Sequence, residues 1–167
     1  MYNLSRMEKW ITNQYLMHNI IEPENLNFDA LSIAFEVTLY RLSLCARYDI
    51  YKKRRFIVVD SRCSIHKQRE QFFHELCHIL FHEGHQSNMY EPFRKLLERE
   101  AERFVLYAAL PYHIIKYYDL ASETIIYDLS NDFQISEKLC HSRLKQIKSQ
   151  IHNSSLIVSE QVYLYNA

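Results

Sequence analysis

Between His74 and His85 the chain reads HELCHILFHEGH, which places four of its nine histidines, two glutamates and its only glycine in twelve residues. His74 and His78 are four positions apart. On a helix that spacing puts both rings on one face, about 6 Å apart in rise, where two imidazoles can share one zinc ion. Glu75 lies between them and completes HExxH. In that arrangement the glutamate is too far round the helix to ligate; it takes a proton from the attacking water and passes it to the leaving amine. The metal lowers the pKa of that water toward neutrality and polarises the scissile carbonyl. Two histidines still leave the centre one protein ligand short.

Neither remaining histidine of the stretch supplies it. His82 is eight residues from His74, about 12 Å of rise along a continuous helix, too far for both rings to meet at one ion. It is expected on the surface or behind the ligands. A chain that turns back to bring in a third histidine needs glycine three residues after the second one, and that position holds Phe81. Gly84 follows too late, with His85 directly after it. A carboxylate from another helix remains, and LLEREAERF offers Glu98, Glu100 and Glu102. Glu98 and Glu100 border opposite edges of the apolar stripe, Glu102 points further toward solvent, and periodicity does not choose between the first two.

Strands and helices must position these groups. Apolar residues at helical spacing predict a helix over Leu4 to Ile21, stopped by Pro23, and a short one over Leu26 to Ala34. FEVTLYRLSLCARYDIYKKRRFIVVD is rich in β-formers and predicts two or three strands in a small antiparallel or mixed sheet. From Ser64 onward the pattern is helical. Ser64 is the expected N-cap of the motif helix and Gly84 its expected C-cap. A second helix runs from Pro92 to Leu110 with the stripe Phe93, Leu96, Leu97, Ala101, Phe104, Val105 and Ala108, and Pro111 ends it. Two more helical segments, Ser122 to Phe133 and Ser136 to Ile151, break at Gln134 to Ser136 in the manner of a helix-turn-helix. This order of elements is an α+β plan, read as one domain over 1–167.

The run FIVVDSRCSIHKQREQFFHELCHILFH together with EREAERFVLYAALP resembles the ImmA/IrrE-type metallopeptidases over about Leu26 to Pro111. The resemblance implies a zincin-like core, with a helical part following it at about 122–151. In that family the ligand acid lies three residues before the alanine, which here puts the third ligand on Glu98, with Glu100 as the alternative. It implies one zinc per chain, held by His74, His78 and Glu98, with Glu75 as catalytic base. It also implies a protein substrate, a helix-turn-helix repressor of a mobile element or stress response. Cys77 stands where the family usually has a small residue, which would narrow the site or make it sensitive to oxidation. Glu102 replaces a usual Asn or Asp, and FVLYAALP is bulkier than the family's small-residue run.

Composition sets the frame. The 167 residues are 48% hydrophobic and 14% aromatic, enough apolar material for a packed core. Twenty basic residues balance twenty acidic ones, which gives no global footprint for nucleic acid or anionic membrane. No apolar run approaches the roughly 20 residues a membrane span needs, and the start, MYNLSRMEKWITNQYLMHNII, has no secretory core. Cys45, Cys63, Cys77 and Cys140 form no CxxC pair and read as reduced thiols in a cytoplasmic protein.

His18, His66, His113, His141 and His152 have no partner at ligand spacing, and the Lys52–Arg55 run KKRR reads as a solvated turn. The basic residues Lys138, Arg143, Lys145 and Lys148 are offset by Asp128, Asp132 and Glu137, so packing or partner docking is favoured over direct nucleic-acid binding. Two functions stay in view: a zinc endopeptidase, and a non-enzymatic regulator that binds a repressor or DNA through its C-terminal helices.

Overall fold

The computed structural model describes residues 2–82 and 90–165, with side chains described up to residue 152. Helix α1, Arg6–Met17, opens on a capping box in which Ser5 accepts from the Glu8 backbone N–H and the Glu8 carboxylate accepts from the Ser5 N–H. It ends earlier than the sequence pattern suggests, because Asn19 adopts φ 56° and reverses the chain four residues before Pro23. Pro23 instead opens a 3-10 turn, Pro23–Asn25. Helix α2, Phe28–Ala34, is capped by the Asn27 side chain.

Three strands follow: β1, Val37–Leu42; β2, Arg47–Tyr51; and β3, Arg54–Asp60. Their order is β1-β3-β2, with β3 antiparallel to β2 but parallel to β1, so the sheet is mixed rather than antiparallel throughout. Lys52 and Lys53 form the two-residue turn between β2 and β3, both at positive φ (47° and 67°) and both exposed. A two-residue hairpin turn of this hand requires left-handed residues, and this chain uses lysine there. On the core face of β3, Ile57 and Val59 are fully buried and point toward the next helix.

That helix, α3, Ile65–Phe81, carries the HExxH stretch, and the Ser64 side chain caps it by accepting from the Lys67 N–H. Its C-cap is His82, ahead of the expected Gly84, which lies outside the described residues, as does His85. Phe72, Phe73, Leu76 and Cys77 form its buried face. Helix α4, Glu91–Ala109, packs on it through Ala101, Phe104, Val105 and Ala108. The two alanines keep the helices close, and Phe81 and Phe104 meet at 5.7 Å between ring centroids. Phe93 and Leu96 extend the stripe in sequence but are 50% and 57% exposed; they precede the stretch of α4 that is buried against α3.

Pro111 caps a one-turn helix, α5, Tyr112–Ile115, that periodicity did not signal. Helix α6, Ile125–Phe133, ends on the left-handed Gln134, and α7, Glu137–Tyr165, follows. The break falls where the sequence places it. Phe133, Ile135, Cys140, Leu144 and Ile147 join the same hydrophobic cluster as α1, the sheet and α3. Arg143, counted among the basic residues of this segment, is fully buried and bonded to Glu8 at 2.7 Å. Among the described residues no helix is long and apolar enough to cross a membrane.

Candidate metal centre

Helix α3 projects His74 and His78 toward α4, with their Nε2 atoms 3.1 Å apart. Glu98, on α4, meets both: Oε2 is 3.2 Å from His74 Nε2, and Oε1 is 3.7 Å from His78 Nε2. The three ligand atoms lie within 4.8 Å of one another. Two ligands each about 2.0–2.1 Å from a tetrahedral zinc stand about 3.3 Å apart, so these separations fit a common ion. The donor set fits as well, two imidazoles and a carboxylate with room for a fourth ligand. Among the described residues no other group of three His, Cys, Asp or Glu side chains converges in this way.

The electrostatics favour a cation. Burial first, and then the repulsion that a proton on neighbouring His74 or His82 would add, push the His78 imidazole down to about 3. Burial also lowers His74, against the opposing charges of Glu98 and Glu102. Both rings therefore stay neutral, with lone pairs available at neutral pH. Glu75 is buried, and its carboxyl is pushed up to about 7, first by burial and then by the Glu98 charge, while the Tyr48 backbone N–H pulls the other way. A carboxyl titrating near neutrality can both accept and return a proton.

Tyr48 was not legible as part of the centre, and His82 and Glu100 take roles the sequence left open. Tyr48, on β2, stacks on His78 with ring centroids 5.7 Å apart and an interplanar angle of 25°. Burial, then Glu75 and Glu98, raise its phenol, so its hydroxyl senses both carboxylates. His82 does not join the ligand cluster and is not at the surface. Its Nδ1 lies 2.7 Å from His78 Nδ1, and its Nε2 lies 3.1 Å from Glu100 Oε2. Glu100 thus pairs with His82, while Glu98 faces His74 and His78. The repeat of histidine at positions 74, 78 and 82 was the available signal, since each step of four returns to one helix face.

Cys77 is fully buried behind this face and its thiol is pushed up to about 12, by burial and then by the charges of Glu100 and Glu98, so it stays protonated rather than open to oxidation. A cleft of about 610 Å³ leads to the centre. His74 and Glu75 lie on one side of it, Glu102, Val105 and Leu106 of α4 on another, and Ser136, Lys138 and Leu139 at the start of α7 close it. Glu70 of α3 accepts from the Ser136 hydroxyl and backbone N–H, tying α7 to the motif helix at the cleft wall.

Residues 33–145, which contain all of these groups, match the profile of the peptidase M78 family described as the IrrE N-terminal-like domain. Two relatives come from Bacillus subtilis (strain 168). The uncharacterized protein YqaB is 31% identical over 110 residues, covering 66% of this chain and 64% of its own. The phage-like element PBSX protein XkdA is 32% identical over 114 residues, covering 65% of this chain and 54% of its own. The match spans less than two thirds of either relative's length. No solved structure matches. With the family profile running through the sheet, the motif helix, the Glu98 helix and into α7, the chain belongs to the peptidase M78 family, the IrrE N-terminal-like domains.

Proposed function

We propose that the protein is a zinc-dependent endopeptidase in which His74, His78 and Glu98 hold one zinc and Glu75 is the catalytic base. One observation carries the reading: three potential ligand atoms within 4.8 Å of one another, with a buried glutamate beside them, next to a cleft of about 610 Å³ that His74 and Glu75 line. Zinc bound there would lower the pKa of the attacking water and polarise the scissile carbonyl. Glu75 takes the proton of that water and delivers it to the leaving nitrogen. Tyr48, whose hydroxyl senses Glu75 and Glu98, donates to the carbonyl oxygen as charge develops on it. Strand β2 is an edge strand, bonded to β3 on one side, while its Tyr48 N–H reaches Glu75 on the other. An extended substrate laid beside that edge passes the catalytic groups.

The substrate we propose is a helix-turn-helix repressor of a mobile element or stress response, cleaved at one site in the cytoplasm. The resemblance to ImmA/IrrE-type peptidases supports it, and so does the name of one relative, a phage-like element protein. Four free cysteines fit a reducing compartment. Direct DNA binding through α6 and α7 loses support, because Arg143 is in the core and Lys138 lines the cleft.

The test pairs the wild type with Glu75→Gln. A repressor encoded beside the protein should be cut by the wild type and left whole by the variant, with zinc retained in both. A repressor that the variant inactivates without cutting would establish the non-enzymatic regulator instead.

A further inference from the structure

We propose that His82 and Glu100 form a hydrogen-bond relay that fixes the tautomer of His78 and so sets the metal affinity of the centre. The inference rests on the zinc reading above, but its protonation pattern can be read without metal. His82 is buried, at 6% exposure, and both of its ring nitrogens are engaged, Nδ1 at 2.7 Å from His78 Nδ1 and Nε2 at 3.1 Å from Glu100 Oε2.

The direction of the relay follows from its far end. A carboxylate only accepts, so His82 Nε2 carries the hydrogen and donates it to Glu100. In its neutral form His82 has one N–H, and with that hydrogen on Nε2 its Nδ1 is bare and accepts. His78 Nδ1 must then carry its own hydrogen and donate it to His82. That leaves His78 Nε2 unprotonated, and this is the atom 3.1 Å from His74 Nε2 and 3.7 Å from Glu98 Oε1. With the opposite pattern, His82 Nδ1–H would face His78 Nδ1 and put the proton on the nitrogen that has to ligate.

Helix α4 supplies both ends of this control. Glu98 and Glu100 are two residues apart, about 200° around a helix, so they address different parts of the histidine row. Glu98 meets the two Nε2 atoms, whereas Glu100 reaches past them to His82. Outer partners that orient a ligand histidine in this way are worth about 10- to 100-fold in metal affinity.

Two measurements on the full chain test the relay. In the metal-free protein labelled with 15N-histidine at neutral pH, long-range proton–nitrogen spectra should show His78 as the Nδ1–H tautomer and His82 as the Nε2–H tautomer. Zinc affinity, read by competition with a chromophoric chelator, should fall about tenfold or more in Glu100→Ala and recover in Glu100→Gln, whose amide oxygen still accepts. Glu100 is 43% exposed at its side chain, and the thermal melt of metal-free Glu100→Ala should match the wild type. His78 protonated on Nε2, or Glu100→Ala binding zinc as tightly as the wild type, overturns the relay. Wild type that binds no zinc defeats the metal-centre reading instead, and the tautomer spectrum then decides the relay alone. Zinc lost in Glu100→Ala but kept in Glu98→Ala makes Glu100 a ligand and overturns both.

Discussion

At the scale of single residues, the proposed chemistry rests on Glu75 and on what surrounds it. Burial and the neighbouring Glu98 hold its carboxyl near neutrality, and glutamine keeps its shape while removing its basicity. Glu75→Gln should therefore lower hydrolysis by about 10²- to 10⁴-fold with zinc content unchanged, measured as cleavage rate alongside elemental analysis. Tyr48→Phe keeps the ring on His78 and the backbone N–H toward Glu75, and removes only the hydroxyl. It should reduce kcat by about 10²-fold or more while leaving zinc affinity alone, and an unchanged kcat would remove the tyrosine from the mechanism. His74, Glu75 and His78 were legible because their spacing is a property of one helix. Glu98 over Glu100 required a family resemblance, since the choice depends on how α4 docks on α3. Tyr48 left no readable signal, because tertiary packing alone brings it to His78; the histidine repeat at 74, 78 and 82 was readable, but its pairing with Glu100 depends on how α4 docks.

At the scale of elements, local signals worked where the deciding interaction is local. The Ser64 cap, Pro92 in the first turn of α4 and the break before α7 all sit where side-chain chemistry puts them. Strand pairing is decided elsewhere: β1 runs parallel to β3 because the β2–β3 hairpin folds β3 back into the middle of the sheet, which no stretch of sequence announces. The end of α1 was missed because a left-handed asparagine, not the proline, reverses the chain. The KKRR turn offers a test. Lys52 and Lys53 both hold positive φ, which costs a residue with a Cβ on the order of 1 kcal/mol. Replacing the pair with Asn-Gly should raise unfolding free energy by about 1 kcal/mol, and a loss of stability in denaturant titration would contradict the turn geometry.

At the scale of the whole molecule, a buried ion pair joins the beginning of the chain to its last helix. Arg143 of α7 donates to Glu8 of α1 at 2.7 Å, to Tyr2 Oη at 2.9 Å and to the Leu110 carbonyl at 3.0 Å. Sequence reading counted Arg143 only among the basic residues of its segment, because charge alone does not reveal burial. Burial opposes ionisation of Glu8, but the Arg143 charge and hydrogen bonds from Tyr2 and Ser5 outweigh it, so the carboxyl titrates below its usual range. A lowered folded-state value means that Glu8 contributes stability above the ordinary carboxylate range and loses it as pH falls through the lowered value. Glu8→Gln leaves Arg143 buried without its anion and should cost about 3–5 kcal/mol at pH 7. That gap should narrow as the wild type is acidified, and a gap independent of pH would show that the ion pair is not its source. The account as a whole stands on the metal centre, which elemental analysis reads directly. The wild type, Glu98→Ala and Glu100→Ala are purified identically without chelator, supplied with excess zinc and desalted. Near-stoichiometric zinc in the wild type and Glu100→Ala, with loss in Glu98→Ala, is the result expected; a wild type that stays empty, or a Glu98→Ala variant that keeps its full complement, would contradict it.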